Sequence, residues 1–297
     1  MYPDPDRARR FGWLDAALIA LAVLAAVHVW GRVSEVLVYR WDWGFLPQAL
    51  VRRTESGGWE ANLLLEGLIA TLRLSIWSMA GAAVLGTVLG VMASSTRLLP
   101  RLTAFTYVGL IRNMPPLVFI FVFYFFVSSQ VIPALGLDVW TRNLSPAEAA
   151  AVSALFGPPG RLENFLSGLL CLALFEAAYI AEIVRGGIAA VPPSQTEAAR
   201  SLGLRRGQVF RFITAPQALR AVTPPLANQF IMLVKNSAIV SLISVQELTF
   251  IGTEVAVSTG RRFETWIVVA LMYFTICFGL SRLFARMERR MRRFDRR

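Results

Sequence analysis

Six stretches of this chain are apolar over lengths that can cross a lipid bilayer, and that repetition constrains the fold more than any other feature. A hydrocarbon core of ~30 Å needs roughly 17 to 25 consecutive apolar residues in helical form. The qualifying runs are about Leu14 to Trp30, Gly67 to Ala93, Leu117 to Ile132, Phe165 to Val184, Ala221 to Leu242 and Thr265 to Phe284. No water completes backbone hydrogen bonds inside a bilayer, so such segments must satisfy themselves as helices. The expectation is an all-α polytopic membrane protein with about six transmembrane helices. Composition agrees, because 56% of the 297 residues are hydrophobic and only 16% are charged, too few for an ordinary water-soluble domain.

A formal charge of +11 raises nucleic acid as a partner. The arginines, however, gather in short segments beside the apolar runs, which is how membrane orientation is encoded, and this pattern argues for no nucleic acid. Arg7, Arg9 and Arg10 precede the first run, and Arg97 and Arg101 follow the second. Arg185, Arg200, Arg205, Arg206, Arg211 and Arg220 fill the loop after the fourth, and eight arginines lie between Arg282 and Arg297. In the alternate loops, Arg32, Arg40, Arg52 and Arg53 are offset by Glu35, Asp42, Glu55 and Glu60. Both termini are therefore expected in the cytoplasm. The first run also has the form of a cleaved signal peptide, but its length and an interfacial Trp30 favour a retained helix.

Punctuation along the chain predicts local structure. Gly86 and Gly90 in the second run have the spacing that lets helices approach closely. Arg73, within the same run, is expected to snorkel outward. Pro115-Pro116 should break or start a helix. Ser145-Pro146-Ala147-Glu148 reads as a capping box opening a short helix that Gly157-Pro158-Pro159-Gly160 ends. Trp41, Trp43 and Trp59 suit an interfacial outer segment. After Pro192-Pro193, Ser194 is the expected N-cap of a helix with Glu197 three residues on. Ala198, Ala199 and Leu202 would form its apolar side, Gly203 would end it, and a second short helix, Arg205 to Phe212, would close before Pro216.

Glu197-Ala198-Ala199, then Gly203, Ile213 and Pro216, sit in this polar loop between two membrane-length runs. The pattern resembles the EAA loop of permease subunits of type I ABC importers. Ala178-Tyr179-Ile180-Ala181-Glu182-Ile183-Val184-Arg185-Gly186-Gly187 is similar to the polar amino acid branch of that family, whose members serve histidine, glutamine, arginine or amino acids generally. The chain departs from the pattern at Ala215, where the motif usually has leucine, and at Ser194, where the branch commonly has glycine. The resemblance covers roughly residues 64–290. It divides the chain into an extra N-terminal helix with its outer loop (1–63), an importer transmembrane domain (64–290) carrying the coupling loop (186–216), and a basic cytoplasmic tail (291–297).

What the resemblance implies is a type I ABC importer permease fold in a bacterial inner membrane. It further implies two ATPase subunits docked on a coupling helix around Glu197, Ala198, Ala199, Gly203, Ile213 and Pro216. The other partners are a second permease half, alike or different, and an extracytoplasmic amino-acid-binding protein, with membrane lipid around them. The residues themselves say that energy comes from elsewhere. A P-loop needs G-x4-G-K-[ST], and the only lysine, Lys235, follows Val234 inside the fifth run. The chain is thus expected to be a non-catalytic subunit with no cofactor of its own, ATP and Mg being used by the partner.

Charges at bilayer depth are costly unless paired, hydrated or lining a path. Glu176 and Lys235 each lie about ten residues into their runs, ~15 Å at helical rise, near the midplane. One reading has Glu176, Tyr179, Lys235 and Asn236 lining a substrate path. Its equal rival has Glu176 and Lys235 as a structural pair locking two helices. Arg112, Glu182 and Arg185 are candidates for an inner gate, with a simple helix-end ion pair for Glu182 and Arg185 as the alternative. Cys171 and Cys277 fall inside runs and read as small buried apolar residues, and His28 is the only histidine, so neither a metal site nor a nucleophile with its base is indicated. A different class of function, an ion-coupled secondary amino acid transporter protonated at Glu176 and Glu182, needs no ATPase. A scaffold or sensor without transport is the third. Neither accounts for the Glu-Ala-Ala spacing.

Overall fold

A computed structural model of the chain describes residues 12–36, 39–54 and 57–294, with the side chains of Trp30, residues 33–36 and residues 291–294 excluded. The expected cytoplasmic arginines Arg7, Arg9, Arg10, Arg296 and Arg297, the interfacial Trp30 and the acid Glu55 lie outside these limits. The chain forms two units, Met1–Trp43 and Gly44–Arg297. In the first, α1 (Trp13–Val36) carries the first apolar run, and Leu14, Leu18, Leu21, Leu24 and Val27 along it are exposed. Tyr39 packs edge-on against Trp41, which stacks on Trp43 with ring centres 5.9 Å apart.

The second unit opens with α2 (Leu46–Leu50) and a hairpin of β1 (Val51–Arg53) against antiparallel β2 (Trp59–Ala61). Then come α3 (Leu63–Ala93), α4 (Leu98–Arg112), α5 (Pro116–Phe123), α6 (Ser129–Ala134), α7 (Leu137–Arg142) and α8 (Pro146–Phe156). These are followed by α9 (Leu162–Ala189), α10 (Pro193–Ser201), α11 (Arg206–Val209), α12 (Ala215–Asn236), α13 (Leu248–Thr259) and α14 (Arg262–Phe294). Among the described residues, five helical stretches are long and apolar enough to cross a membrane: Leu63–Ala93, Pro116–Ala134, Pro159–Ala189, Arg206–Ile243 and Arg262–Arg290. They correspond to the second through sixth expected runs.

Glycine decides which helices touch. A Cβ on Gly86 would meet Ile180 Cβ at 2.7 Å and the Ala177 carbonyl at 2.8 Å, and one on Gly90 would meet Val184 Cβ at 2.6 Å and the Ala181 carbonyl at 2.7 Å. The four-residue repeat on α3 therefore presses backbone against backbone on α9, as small residues do in membrane helix pairs. Leu74, Leu89, Leu172, Phe175 and Leu233 close the main core around that contact. Tyr107 of α4 donates to the Leu174 carbonyl at 2.7 Å, and Trp77 of α3 donates to the Leu155 carbonyl at 3.1 Å, fixing the outer helices to the pair.

The prolines act as expected at α4 and α5: the first ends at Arg112, and the second begins at Pro116 with Pro115 extended before it. The capping box of α8 is complete. Glu148 N donates to Ser145 Oγ, while Ser145 N and Oγ donate to Glu148 Oε2 at 2.8 and 2.7 Å. Those bonds hold the Glu148 carboxyl below the usual carboxylate range. A lowered folded-state value means that the contribution is present above the unfolded pKa of ~4.3 and is lost as pH falls through the folded value. Amide hydrogen exchange at Ser145, whose N–H donates to the Glu148 carboxylate, should be protected at neutral pH and lose protection in acid; unchanged protection under acid conditions would show the box to be idle.

Candidate functional site

The loop between α9 and α12 folds as a knob of two short helices. Pro192 is extended and Pro193 supplies the first helical residue, so the helix starts one residue earlier than expected and Ser194 is not its N-cap. The physical reason is that proline at this position has its φ preset and lacks only an N–H that would be unpaired anyway. At the other end Gly203 takes φ +83°, its N–H donates to the Arg200 carbonyl, and the Leu204 N–H donates to the Ala199 carbonyl. This paired closure satisfies the last carbonyls of α10 and needs a left-handed residue at Gly203. Ala199 alone turns inward, whereas Glu197, Ala198, Gly203 and Leu202 are exposed, Leu202 at 82%. The expected apolar side of Ala198, Ala199 and Leu202 is thus reduced to Ala199.

The second short helix does not close before Pro216. From Arg206 the chain continues through a π-helical turn, Phe210–Thr214, straight into α12, so Ile213 lies in the turn and Pro216 in the first turn of a 38-residue helical stretch. Pro216 has no N–H for an α-helical partner, and the wider π turn takes up that gap without ending the helix. Gln217 Nε2 donates to Gln195 Oε1 at 2.6 Å and to the Ile213 carbonyl at 2.9 Å, tying the knob to the base of α12. The knob is therefore mechanically continuous with a membrane helix.

Deeper in the bundle Glu176 is fully buried. Its carboxylate accepts from Gln229 Nε2 on one oxygen and from Asn236 Nδ2 at 2.9 Å on the other. Lys235 takes no part: it is exposed on the face of α12 beside Asn236 and forms no ion pair among the described residues. The reading of Glu176 and Lys235 as a structural pair, one of the two weighed, is corrected accordingly, because one residue of helix turns the side chain by about 100°. Gln229 was not foreseen. Its signal is its position seven residues before Asn236, two turns away on the same face of an apolar helix. Replacing Glu176 with leucine takes the acceptor from two part-buried amides, Gln229 and Asn236, at up to about 1 kcal/mol each, whereas Glu176→Gln keeps an acceptor. A clear fall in the melting temperature of the solubilised Leu variant, much smaller for Gln, is the expected result; equal melting would show the network to be slack.

Arg112, Glu182 and Arg185 do come together. Arg185 donates to Glu182 from Nε and Nη2, the latter at 2.8 Å, Arg112 approaches the same carboxylate at 3.7 Å, and the Arg112 guanidinium lies 5.5 Å from the Tyr179 ring centre. One carboxylate thus links α4 to α9 at the end of the bundle nearest the knob. A further buried carboxylate, Glu247, also escaped notice. It caps α13 by accepting from Phe250 N at 3.0 Å, and it accepts from Tyr273 at 2.6 Å and Thr71 at 3.3 Å, joining α3, α13 and α14. Among the described residues no group of histidine, cysteine and acidic side chains is arranged to hold a metal.

Apart from the short β1–β2 hairpin the second unit is helical, with membrane-length helices and one polar knob between two of them. Residues 82–293 match the family described as binding-protein-dependent transport system inner membrane component, and the chain belongs to it. The chain is 34% identical to the probable glutamine ABC transporter permease protein GlnM of Bacillus subtilis, covering 74% of this chain and 89% of that one. It is also 34% identical to the glutamine transport system permease protein GlnP of Escherichia coli K12, over 77% and 93% of the two chains. Among solved structures, a chain of an amino acid ABC transporter crystallised with histidines superposes with a TM-score of 0.61 at 33% identity, covering 77% of this chain and 94% of that one. The fold is that of a type I ABC importer permease.

Proposed function

We propose that this chain is the permease half of an ATP-driven importer of polar amino acids, coupled to separate ATPase subunits through the knob around Glu197. The observation that carries the coupling is Leu202: an apolar side chain 82% exposed at the tip of a rigid polar loop, next to a glycine locked in the left-handed region. A partner surface docked over α10 would bury this side chain. Continuity of the knob with α12 gives a route for motion, since a shift of the docked knob must turn the helix that carries Gln229 and Asn236 against Glu176. ATP and Mg are held by the partner, and a second permease half completes the path. An extracytoplasmic binding protein supplies the solute.

In this reading both termini and the knob face the cytoplasm, while α8 and the start of α3 face outward. Glu176, Tyr179, Asn236 and Lys235 line the path. The unpaired Lys235 is covered by water or the second half, because lipid would leave its charge unsolvated. Arg112, Glu182 and Arg185 form the inner gate. The relatives' printed substrate, glutamine, supports the amino acid class. Reconstitution in proteoliposomes with the ATPase and binding protein decides the matter: uptake of labelled glutamine should require internal ATP, and uptake driven by a proton gradient alone would point to the ion-coupled carrier.

A further inference from the structure

The last helix, α14, changes character along one face. Phe274 and Phe278 are exposed and stack with ring centres 5.6 Å apart, and the Arg282 guanidinium lies over the Phe278 ring at 4.9 Å. Four residues further on comes Arg286, and four beyond that Arg290, both exposed. Residues four apart are neighbours on the surface of a helix. Phe274, Phe278, Arg282, Arg286 and Arg290 therefore form one ladder whose rungs turn from aromatic to basic.

Direction and depth say what covers this ladder. At helical geometry Arg282, Arg286, Arg289 and Arg290 fall within an arc of about 100°, and none of them forms an ion pair among the described residues. Glu288, the one acid between Arg282 and Arg290, lies outside the arc: with Ser281, Phe284 and Ala285 it lines a groove against α12, where Phe284 meets Phe230 edge-on with ring centres 6.1 Å apart. Orientation in a membrane asks only for positive charge on one side. It does not ask that the charges share a face turned away from the protein. Along the axis, Leu283 lies twenty residues after Phe263, ~30 Å at helical rise and the thickness of a hydrocarbon core. Arg282 thus stands at the edge, its stem along Phe278 and its head toward water. Arg286, Arg289 and Arg290 reach roughly 5 to 11 Å beyond Leu283, among the headgroups. A second copy of this chain laid on the same face would bring the same arginines and repel, whereas a phosphate matches them.

We infer that this ladder is a binding surface for anionic phospholipid, with the headgroup phosphate on Arg286, Arg289 and Arg290 and the acyl chains along Phe274 and Phe278. With both termini in the cytoplasm, as proposed above, the lipid belongs to the inner leaflet. Bound headgroups hold the end of α14 at a fixed depth beside α12, the helix that runs on from the knob.

The test is photo-crosslinking of the full-length chain with its co-purified subunits in phosphatidylcholine vesicles. The vesicles carry, in both leaflets, a trace of phosphatidylglycerol or of phosphatidylcholine bearing the same photoactivatable acyl chain, and labelled peptides are mapped by mass spectrometry. Peptides of α14 should take up the anionic probe roughly fivefold or more over the zwitterionic one, about the factor that one arginine contributes at an anionic headgroup. Arg286→Gln combined with Arg289→Gln and Arg290→Gln should erase the excess, while lysine at the same three positions should keep most of it, because a phosphate also accepts a point charge. Should the triple glutamine variant not be recovered from membranes, Arg286→Gln alone, expected to lower the excess part of the way, carries the comparison. Equal labelling of α14 by the two probes, or an excess unmoved by loss of the three charges, overturns the surface. So does an excess that appears only once the ATPase is removed, which would assign the arginines to that partner. Probes in both leaflets make the result independent of orientation, and ATP-driven uptake by the same vesicles is scored separately.

Discussion

Replacing Gly90 with leucine is expected to abolish recovery of folded protein, while the same replacement at Gly186 is expected to leave it intact. Leucine is the better helix former by about 1 kcal/mol at either position, so propensity favours both variants and packing decides the sign. At Gly90 even the first added carbon would stand 2.6 Å from Val184 Cβ and 2.7 Å from the Ala181 carbonyl, against an optimum of about 3.5–4.0 Å, and the carbonyl is backbone that cannot rotate away. Relieving it means prising α3 from α9 along their whole contact. The cost exceeds the roughly 1–3 kcal/mol of an ordinary overpacked site and consumes much of a total stability of about 5–15 kcal/mol. At Gly186 no heavy atom lies within 4 Å of the added carbon. Size-exclusion profiles and melting temperatures of the two solubilised variants check this. A monodisperse Gly90→Leu protein melting with the wild type would show that the α3–α9 contact is not the spine of the fold.

The second large effect is expected on function with little effect on folding. Gly203→Asp should eliminate ATP-driven uptake and ATPase binding while the permease inserts and purifies normally. At φ +83° a side chain costs about 1–2 kcal/mol of backbone strain, and nothing lies within 4 Å to clash with it. The isolated permease can absorb that. An ATPase surface closing over α10 would meet a new carboxylate beside the exposed Leu202 and would have to desolvate it. Gly203→Asn separates the causes, since asparagine tolerates the left-handed region and carries no charge. Co-purification of the tagged permease with its ATPase reads the result directly: retention of the complex by the Asp variant would remove the knob from the coupling route.

Much of the fold was legible because membranes simplify the code. Runs of apolar residues long enough to cross lipid must be helices, and five of the six expected runs lie within long apolar helices, four of them near their expected limits and the fifth in a helix that starts well before Ala221, at Arg206. The box at Ser145 and Glu148, the start at Pro116 and the left-handed Gly203 were legible for a different reason: each depends on residues three or four apart, within reach of local geometry. Local rules failed where two of them competed. Ser194 had the chemistry of a cap, but Pro193 fixed the first turn before it. Pro216 looked like a stop, but a π turn let the helix run through it.

The sequence by itself determined that this is a bundle of membrane helices with one polar knob and no nucleotide-binding motif, because hydrophobic length and short-range spacing are properties of the chain alone. Only the tertiary structure decided which polar groups meet. Glu176 took Gln229 and Asn236 and left Lys235 outside, and Glu247 reached Thr71 and Tyr273 across two other helices. Those outcomes follow from the rotation of each helix about its own axis. That rotation is set by where Gly86 and Gly90 let α9 come close, a contact between residues some ninety positions apart that no local pattern encodes.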